Sequence, residues 1–182
     1  VEKQVWEHVV SSGMKDLLGD PITPETHEIC YDMEPKEIVS NKKINGYRNK
    51  AQYPVRRENG ILNIGFYAKK SHRVIDGGDC LLQPIEFTEI IEIFRKWINN
   101  NNITVYSENT NMGLLRHIYL RKAFATGEIM VCVVINGKAL PFYEVLLEEL
   151  RNIKGFKTLV LNINRKSTNV VLGDECISLY GD

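Results

Sequence analysis

Tyr47-Arg48-Asn49-Lys50-Ala51-Gln52-Tyr53-Pro54-Val55-Arg56-Arg57-Glu58-Asn59-Gly60-Ile61-Leu62-Asn63-Ile64 reads as two β-favouring runs on either side of an Asn-Gly pair. Asparagine and glycine tolerate the positive φ angles that a two-residue hairpin turn demands, so the pair predicts a tight reversal. Lys70-Ser71 supplies the next turn, and strands are expected over 47–57, 61–69 and 72–77 as a three-stranded meander. Working outward, Pro84 introduces the clearest helix, 85–100, in which Ile90, Ile91, Phe94, Trp97 and Ile98 form an apolar stripe against Glu86, Glu89, Glu92, Arg95 and Lys96.

Two further hairpins are expected beyond that helix. Residues 114–124 and 128–135 are joined by Ala125-Thr126-Gly127, and the second run, Ile129 to Ile135, is apolar enough for a central strand. A helix follows over 142–153, then strands over 157–164 and 168–172 as a third hairpin. Upstream, Val5, Trp6, Val9 and Val10 recur at helical spacing and Gly13 follows, predicting an opening helix over 2–12. From 19 to 45 the periodicity disappears among Pro21, Pro24 and Pro35, which reads as a long connection. The expected organisation is an N-terminal helix and connection over 1–45, then a domain over 46–182. Hairpins with interspersed helices and no βαβ alternation indicate an α+β class with largely antiparallel sheets.

The 182 residues are 43% hydrophobic and 25% charged with zero net charge, the balance of a folded globular chain. No run approaches the roughly 20 apolar residues of a membrane-spanning helix, and no membrane partner is expected. The opening Val1-Glu2-Lys3-Gln4-Val5-Trp6-Glu7 lacks a secretory pattern, and Cys30, Cys80, Cys132 and Cys176 are widely spaced with no C-x-x-C pair. Reduced thiols and a cytoplasmic location are expected.

The zero net charge hides a basic stretch. Lys42, Lys43, Arg48, Lys50, Arg56, Arg57, Lys69, Lys70 and Arg73 are countered only by Glu58 between residues 42 and 73. Tyr47, Tyr53, Phe66 and Tyr67 are interleaved with them. Because alternate strand residues share a face, Arg48, Lys50 and Gln52 can point together while Asn49, Ala51 and Tyr53 face the other way. Such a strip suits a phosphate backbone, with aromatic surfaces beside it for bases. A solvated sheet face whose cations serve solubility fits the same pattern. No glycine-rich phosphate loop of either common type occurs. His72 and Cys80 would need an orienting partner and an oxyanion site to act as a nucleophile pair, and Cys132, within Met130-Val131-Cys132-Val133-Val134, reads as a small buried hydrophobe.

Several segments, in order, resemble the RNA uracil-5-methyltransferases that modify transfer and ribosomal RNA. Tyr47 to Val55 resembles that family's tyrosine-arginine strand. Gly65-Phe66-Tyr67-Ala68-Lys69-Lys70-Ser71-His72, with Asp76 and Cys80-Leu81-Leu82-Gln83, resembles the next hairpin and the turn after it. Leu115-Arg116-His117-Ile118, Thr126 to Val131, and Asn162-Ile163-Asn164 with Gly173 resemble later landmarks. The resemblance implies the central, RNA-holding portion of a longer S-adenosylmethionine-dependent enzyme, whose own N-terminal and C-terminal catalytic domains would be its neighbours. The cofactor site, the cysteine that adds to uracil C6 and the base that removes the C5 proton would lie beyond Asp182. A four-iron four-sulfur cluster is also implied, with Cys80 matching the fourth ligand and the other three lying before Val1. Structured RNA, ribosomal or transfer, is the implied partner, and Tyr47, Arg48, Lys50, Gln52, Arg56, Lys69, Lys70 and Arg73 are the candidate contacts. The rival expectation is a free-standing RNA-binding or protein-interaction module without catalytic activity. On this reading the chain alone does not bind S-adenosylmethionine. Calorimetric titration should give no heat of binding, and micromolar one-site binding would contradict the placement.

Overall fold

The computed structural model describes Glu7, Ser12, Gly13, Lys15, residues 20–23, and residues 43–181 other than Asp79 and Thr168. The chain divides into two compact units, Val1–Asn41 and Lys42–Asp182. In the first, an antiparallel bridge joins Lys15 to Pro21. The expected opening helix over 2–12 and most of the connection after it lie outside the described residues.

The second unit is α+β, as expected. Its meander consists of β1 (Lys50–Glu58), β2 (Ile61–Tyr67) and β3 (Val74–Asp76). Asn59 and Gly60 take φ of 51° and 81°, so the turn between β1 and β2 has the two positive angles of a type I′ reversal. Gly65 is the position where β3 comes closest: a Cβ there would lie 1.9 Å from the Ile75 carbonyl oxygen, so a side chain would push the edge strand away. Helix α1 (Ile85–Asn100) follows Pro84, as predicted. Then come β4 (Leu115–Lys122), β5 (Ile129–Ile135), α2 (Tyr143–Leu150), β6 (Phe156–Ile163) and β7 (Glu175–Tyr180).

These strands form one seven-stranded sheet in the order β3-β2-β1-β4-β5-β6-β7. Its core lies under the helices. Tyr53, Val55, Ile64, Ile118, Leu120, Val131, Val133, Leu159 and Leu161 join Phe87, Ile90, Phe94 and Ile98 of α1 and Leu146 and Leu150 of α2 in a single buried cluster. The two helices are tied to each other by Trp97, whose Nε1 donates to the Phe142 carbonyl at 2.9 Å. Phe142 opens α2 at a left-handed φ of 54°, a costly angle for a bulky residue, and that hydrogen bond helps to hold it there. The opposite face of the sheet carries no described helix.

Two expectations are corrected. First, β5 and β6 pair in parallel with α2 between them, a single βαβ crossover that the hairpin pattern did not anticipate. A strand as apolar on both sides as Ile129–Ile135 suits a central position with a helix-bearing connection, where an antiparallel partner is not required. Second, the partner of β6 is β7, not residues 168–172. Two buried asparagines explain why. The Asn162 Oδ1 accepts from the Gly173 amide at 2.7 Å, and its Nδ2 donates to the Gly173 and Glu175 carbonyls. Asn164 Nδ2 donates to the carbonyls of Val170 and Val171. The backbone groups that a strand would offer to β6 are thereby bound by side chains, and the chain pairs only after Gly173.

Arg116 and His117 of β4 are also buried, 2% and 6% exposed. Arg116 Nη1 donates to the carbonyls of Asn164 and Lys166 at 2.8 Å, and its guanidinium lies 4.3 Å from the Tyr106 ring centre. Burial, reinforced by the nearby Arg56 and Arg116 charges, lowers the His117 imidazole to about 3. Its Nδ1 is enclosed without a hydrogen-bond partner. Such an orphan costs about 1–3 kcal/mol.

Two stability predictions follow from this packing. Phe94, fully buried in α1, should cost about 3–5 kcal/mol when changed to Ala, whereas exposed Glu89→Ala should stay within about 0.5 kcal/mol, both read from urea unfolding. The second concerns acid. An unfolded imidazole takes up its proton near pH 6.5, but folded His117 does so only near 3, so between those values the unfolded chain binds more protons. Stability should therefore fall as pH drops from about 6.5, by up to roughly 1.4 kcal/mol per pH unit from this residue. Unfolding midpoints of His117→Gln across that range should show a shallower acid limb, and an unchanged slope would contradict the assignment.

Candidate functional site

The period of β1 places the basic strip as the alternation suggested. Ala51 and Tyr53 are buried under the helices, while Lys50 and Gln52 are exposed on the helix-free face. Tyr47 and Arg48 are exposed just before the strand, where the Arg48 amide donates to the Leu82 carbonyl at 3.1 Å. Lys69, Lys70 and Arg73 are exposed in the turn between β2 and β3. That turn is closed by Ala68 and Arg73, and Lys70 sits at a positive φ of 56°.

Pairing of β1 with β4 adds two residues that the sequence reading did not single out. Arg121 lies opposite Lys50, and Tyr119 lies opposite Gln52, both on the helix-free face. The alternation Arg116-His117-Ile118-Tyr119-Leu120-Arg121 carried the signal, because Ile118 and Leu120 are the core positions and the odd-numbered residues must face the other way. Two cations directly across an antiparallel pair repel each other, a cost that an anion between them removes.

Arg56 has a different setting from the rest of the strip. It is 8% exposed, and its guanidinium donates to the Val55 carbonyl, to the Tyr67 hydroxyl at 2.9 Å and to the Glu108 carboxylate. Glu108 is a shared acceptor, lying 3.2 Å from His72 Nδ1 as well. It fastens the loop before β4 to the turn between β2 and β3. On one side of this fastening lies a cleft of about 430 Å³ lined by Tyr67, Lys70, His72, Glu108, Arg116 and His117 among others.

Cys80 lines a separate cleft of about 570 Å³, with Lys43, Gly46, Gln83, Glu86 and Lys122 among its walls. The Gln83 amide is buried there with neither of its polar atoms bonded, and Lys122 Nζ lies 2.6 Å from Glu86. An iron-sulfur cluster of the implied type needs four thiolates. Among the described residues Cys80 is the single thiol lining this cleft, since Cys132 is in β5 and Cys176 is in β7, and Cys30 lies outside the described residues. The described residues do not fit a complete cluster site. His72 and Cys80 line different clefts, and His72 is engaged with Glu108, so nothing brings them together as a nucleophile and base. Burial pushes the Cys132 thiol up to about 12, which makes it inert as a nucleophile.

No family model matches the chain. An uncharacterized RNA methyltransferase of Clostridium tetani is 42% identical over 151 residues, 82% of this chain and 33% of that protein. Another, from Staphylococcus epidermidis, is 37% identical over 137 residues, 74% of this chain and 30% of that protein. Among solved structures, the Pyrococcus abyssi tRNA (uracil-54, C5)-methyltransferase in complex with S-adenosyl-L-homocysteine superimposes with a TM-score of 0.61 and 26% identity, over 78% of this chain and 33% of that one. The chain thus spans about a third of the length of the curated relatives it matches. Similarity of this depth over most of the chain, together with the order of its landmark segments, assigns it to the RNA uracil-5-methyltransferase family.

Proposed function

We propose that this chain is the substrate-holding portion of an S-adenosylmethionine-dependent RNA uracil-5-methyltransferase and that its helix-free sheet face grips the RNA around the target. The observation that carries this reading is the opposed pair Lys50 and Arg121, flanked by exposed Arg48 and Gln52 and half-buried Tyr119, on a face with no described helix in a chain 42% identical to an RNA methyltransferase. Cations placed against each other at a repulsive cost make sense where phosphates neutralise them. Lys69, Lys70 and Arg73, in the adjacent turn, extend the positive surface. Arg56 serves differently: bonded to Glu108 and Tyr67, it positions that turn and leaves phosphate contact to its neighbours.

Methylation at uracil C5 requires an exposed base, and enzymes acting on a base commonly take it out of its stack. A surface that holds the surrounding backbone bears part of that cost. S-adenosylmethionine would supply the methyl group, and the residues here would bind and orient. The pyrimidine chemistry belongs to the longer protein.

Binding of a structured RNA hairpin should be weak, at about micromolar, with log affinity falling linearly in log salt. Arg48→Ala with Lys50→Ala should lower affinity and flatten the salt slope by roughly two, since each phosphate contact contributes about 0.9. Lys154→Ala with Lys157→Ala, remote from the strip, should do neither. Fluorescence anisotropy across a salt series measures both. Equal losses from the two pairs, with both proteins folded, would reduce the strip to a solvated face.

A further inference from the structure

The aromatic side chains interleaved with the basic stretch are not the ones that the fold leaves among the cations of the strip. Tyr53 is 1% exposed in the core and packs on Phe66 with ring centres 5.0 Å apart. The Tyr67 hydroxyl is held by Arg56, and its ring meets His72 edge-on at 6.2 Å. Tyr47 is exposed but precedes the strand. Tyr119 stands there instead, half-buried on the helix-free face, directly across from Gln52 on β1 and from Cys132 on β5. Arg121 follows it by two residues, about 7 Å along the strand, and Lys50 lies on the diagonal at about 7–8 Å, within reach of long side chains. Among the described residues, the side chains of Lys50, Gln52, Tyr119 and Arg121 have no hydrogen bond, ion pair or ring contact. Elsewhere cations are given carboxylates: Arg56 has Glu108, Arg95 has Asp76, Lys122 has Glu86 and Lys166 has Asp174. A double helix presents its phosphates and keeps its bases stacked on one another, so it would use the cations and leave the ring idle. An unpaired strand uses both, because its bases can stack on an aromatic face while its phosphates meet the cations.

We propose that the helix-free face takes an unpaired stretch of RNA, one base stacking on the Tyr119 ring while Lys50 and Arg121 hold the phosphates on either side of it. The inference rests on the reading that this face grips RNA, and it narrows the ligand to single-stranded segments. Every base offers a π-face, and the Gln52 amide can donate to or accept from whichever edge the stacked base presents, so the contact tolerates sequence. Sheet register holds the arrangement in place. Ile118 and Leu120, on either side of Tyr119 in the chain, are fully buried in the core, so the ring cannot leave the cations' face without a slip of the whole strand.

Fluorescence anisotropy of the whole chain with labelled oligouridine, an abasic ribose-phosphate oligomer of the same length and an RNA duplex, each across a salt series, tests this. Tyr119→Ala should weaken oligouridine binding about tenfold, the scale of one base–aromatic stack, with an unchanged salt slope because no phosphate contact is lost. The same variant should bind the abasic oligomer and the duplex as the parent does. Tyr119→Phe, which keeps the ring, should stay within about twofold of the parent on oligouridine. Lys50→Ala with Arg121→Ala should instead weaken all three ligands and flatten the single-strand slope by roughly 1.4, at about 0.7 per contact. A fluorescent purine analogue placed within the oligouridine reads stacking on the unaltered protein, whatever the substitutions do to folding: its emission should be quenched on binding. A folded Tyr119→Ala protein that kept oligouridine affinity, or equal losses from the Phe and Ala variants, would overturn the stack and leave the phosphate grip standing. So would a bound analogue that stayed bright. If the Lys50, Arg121 pair changed neither affinity nor slope, the grip itself would fail, and the stack with it.

Discussion

The pairing of β1 with β4, Lys50 opposite Arg121 and Pro54 opposite His117, joins two hairpins that α1 separates in the chain. Each hairpin is local and its turn chemistry can form it alone, but neither buries its apolar side without the other. Once β1 and β4 are aligned, Ala51, Tyr53, Ile118 and Leu120 present one continuous floor for α1, and a one-residue slip would turn all four to the opposite face. The same alignment leaves Lys50, Gln52, Tyr119 and Arg121 together on the other side. The charged face is therefore a by-product of core register: the packing of one side dictates which cations meet on the other.

A second layer of order comes from side chains that bind backbone. Asn162 and Asn164 hold the connection between β6 and β7, and Arg116 reaches across to the carbonyls of Asn164 and Lys166. These contacts bring the loop after β6 against the cleft at the start of β4. Arg56 and Glu108 fasten the other wall. The cleft is thus framed by charge-assisted bonds at its edges.

The chain covers about a third of the length of its relatives. The seven-stranded sheet and its turns lie within the second unit. Among the described residues, the cleft around Cys80 has one thiol and a buried, unbonded Gln83 amide in walls shared with Lys43 and Lys122.

The sequence by itself determined the elements whose causes are local. Asn59-Gly60 specified a hairpin with both angles positive, Pro84 and the apolar stripe specified α1 to its ends, and period-2 alternation specified which β1 residues face water. Segment order also carried the family. What only the tertiary structure decided were relations between distant residues. The parallel pairing of β5 with β6 depends on the α2 crossover that carries the chain between them, and the choice of β7 as partner depends on which backbone groups remain free after Asn162 and Asn164 have bound theirs. Arg56 shares a strand face with Lys50, so its type and spacing alone place it in the strip. Glu108, more than fifty residues away, draws it inward instead. The lowered proton affinity of His117 gave no signal in the sequence, because it comes from burial and from two arginines, one adjacent and one brought to it by the β1–β4 pairing. Local periodicity records where a side chain points, and only the fold decides what it meets there.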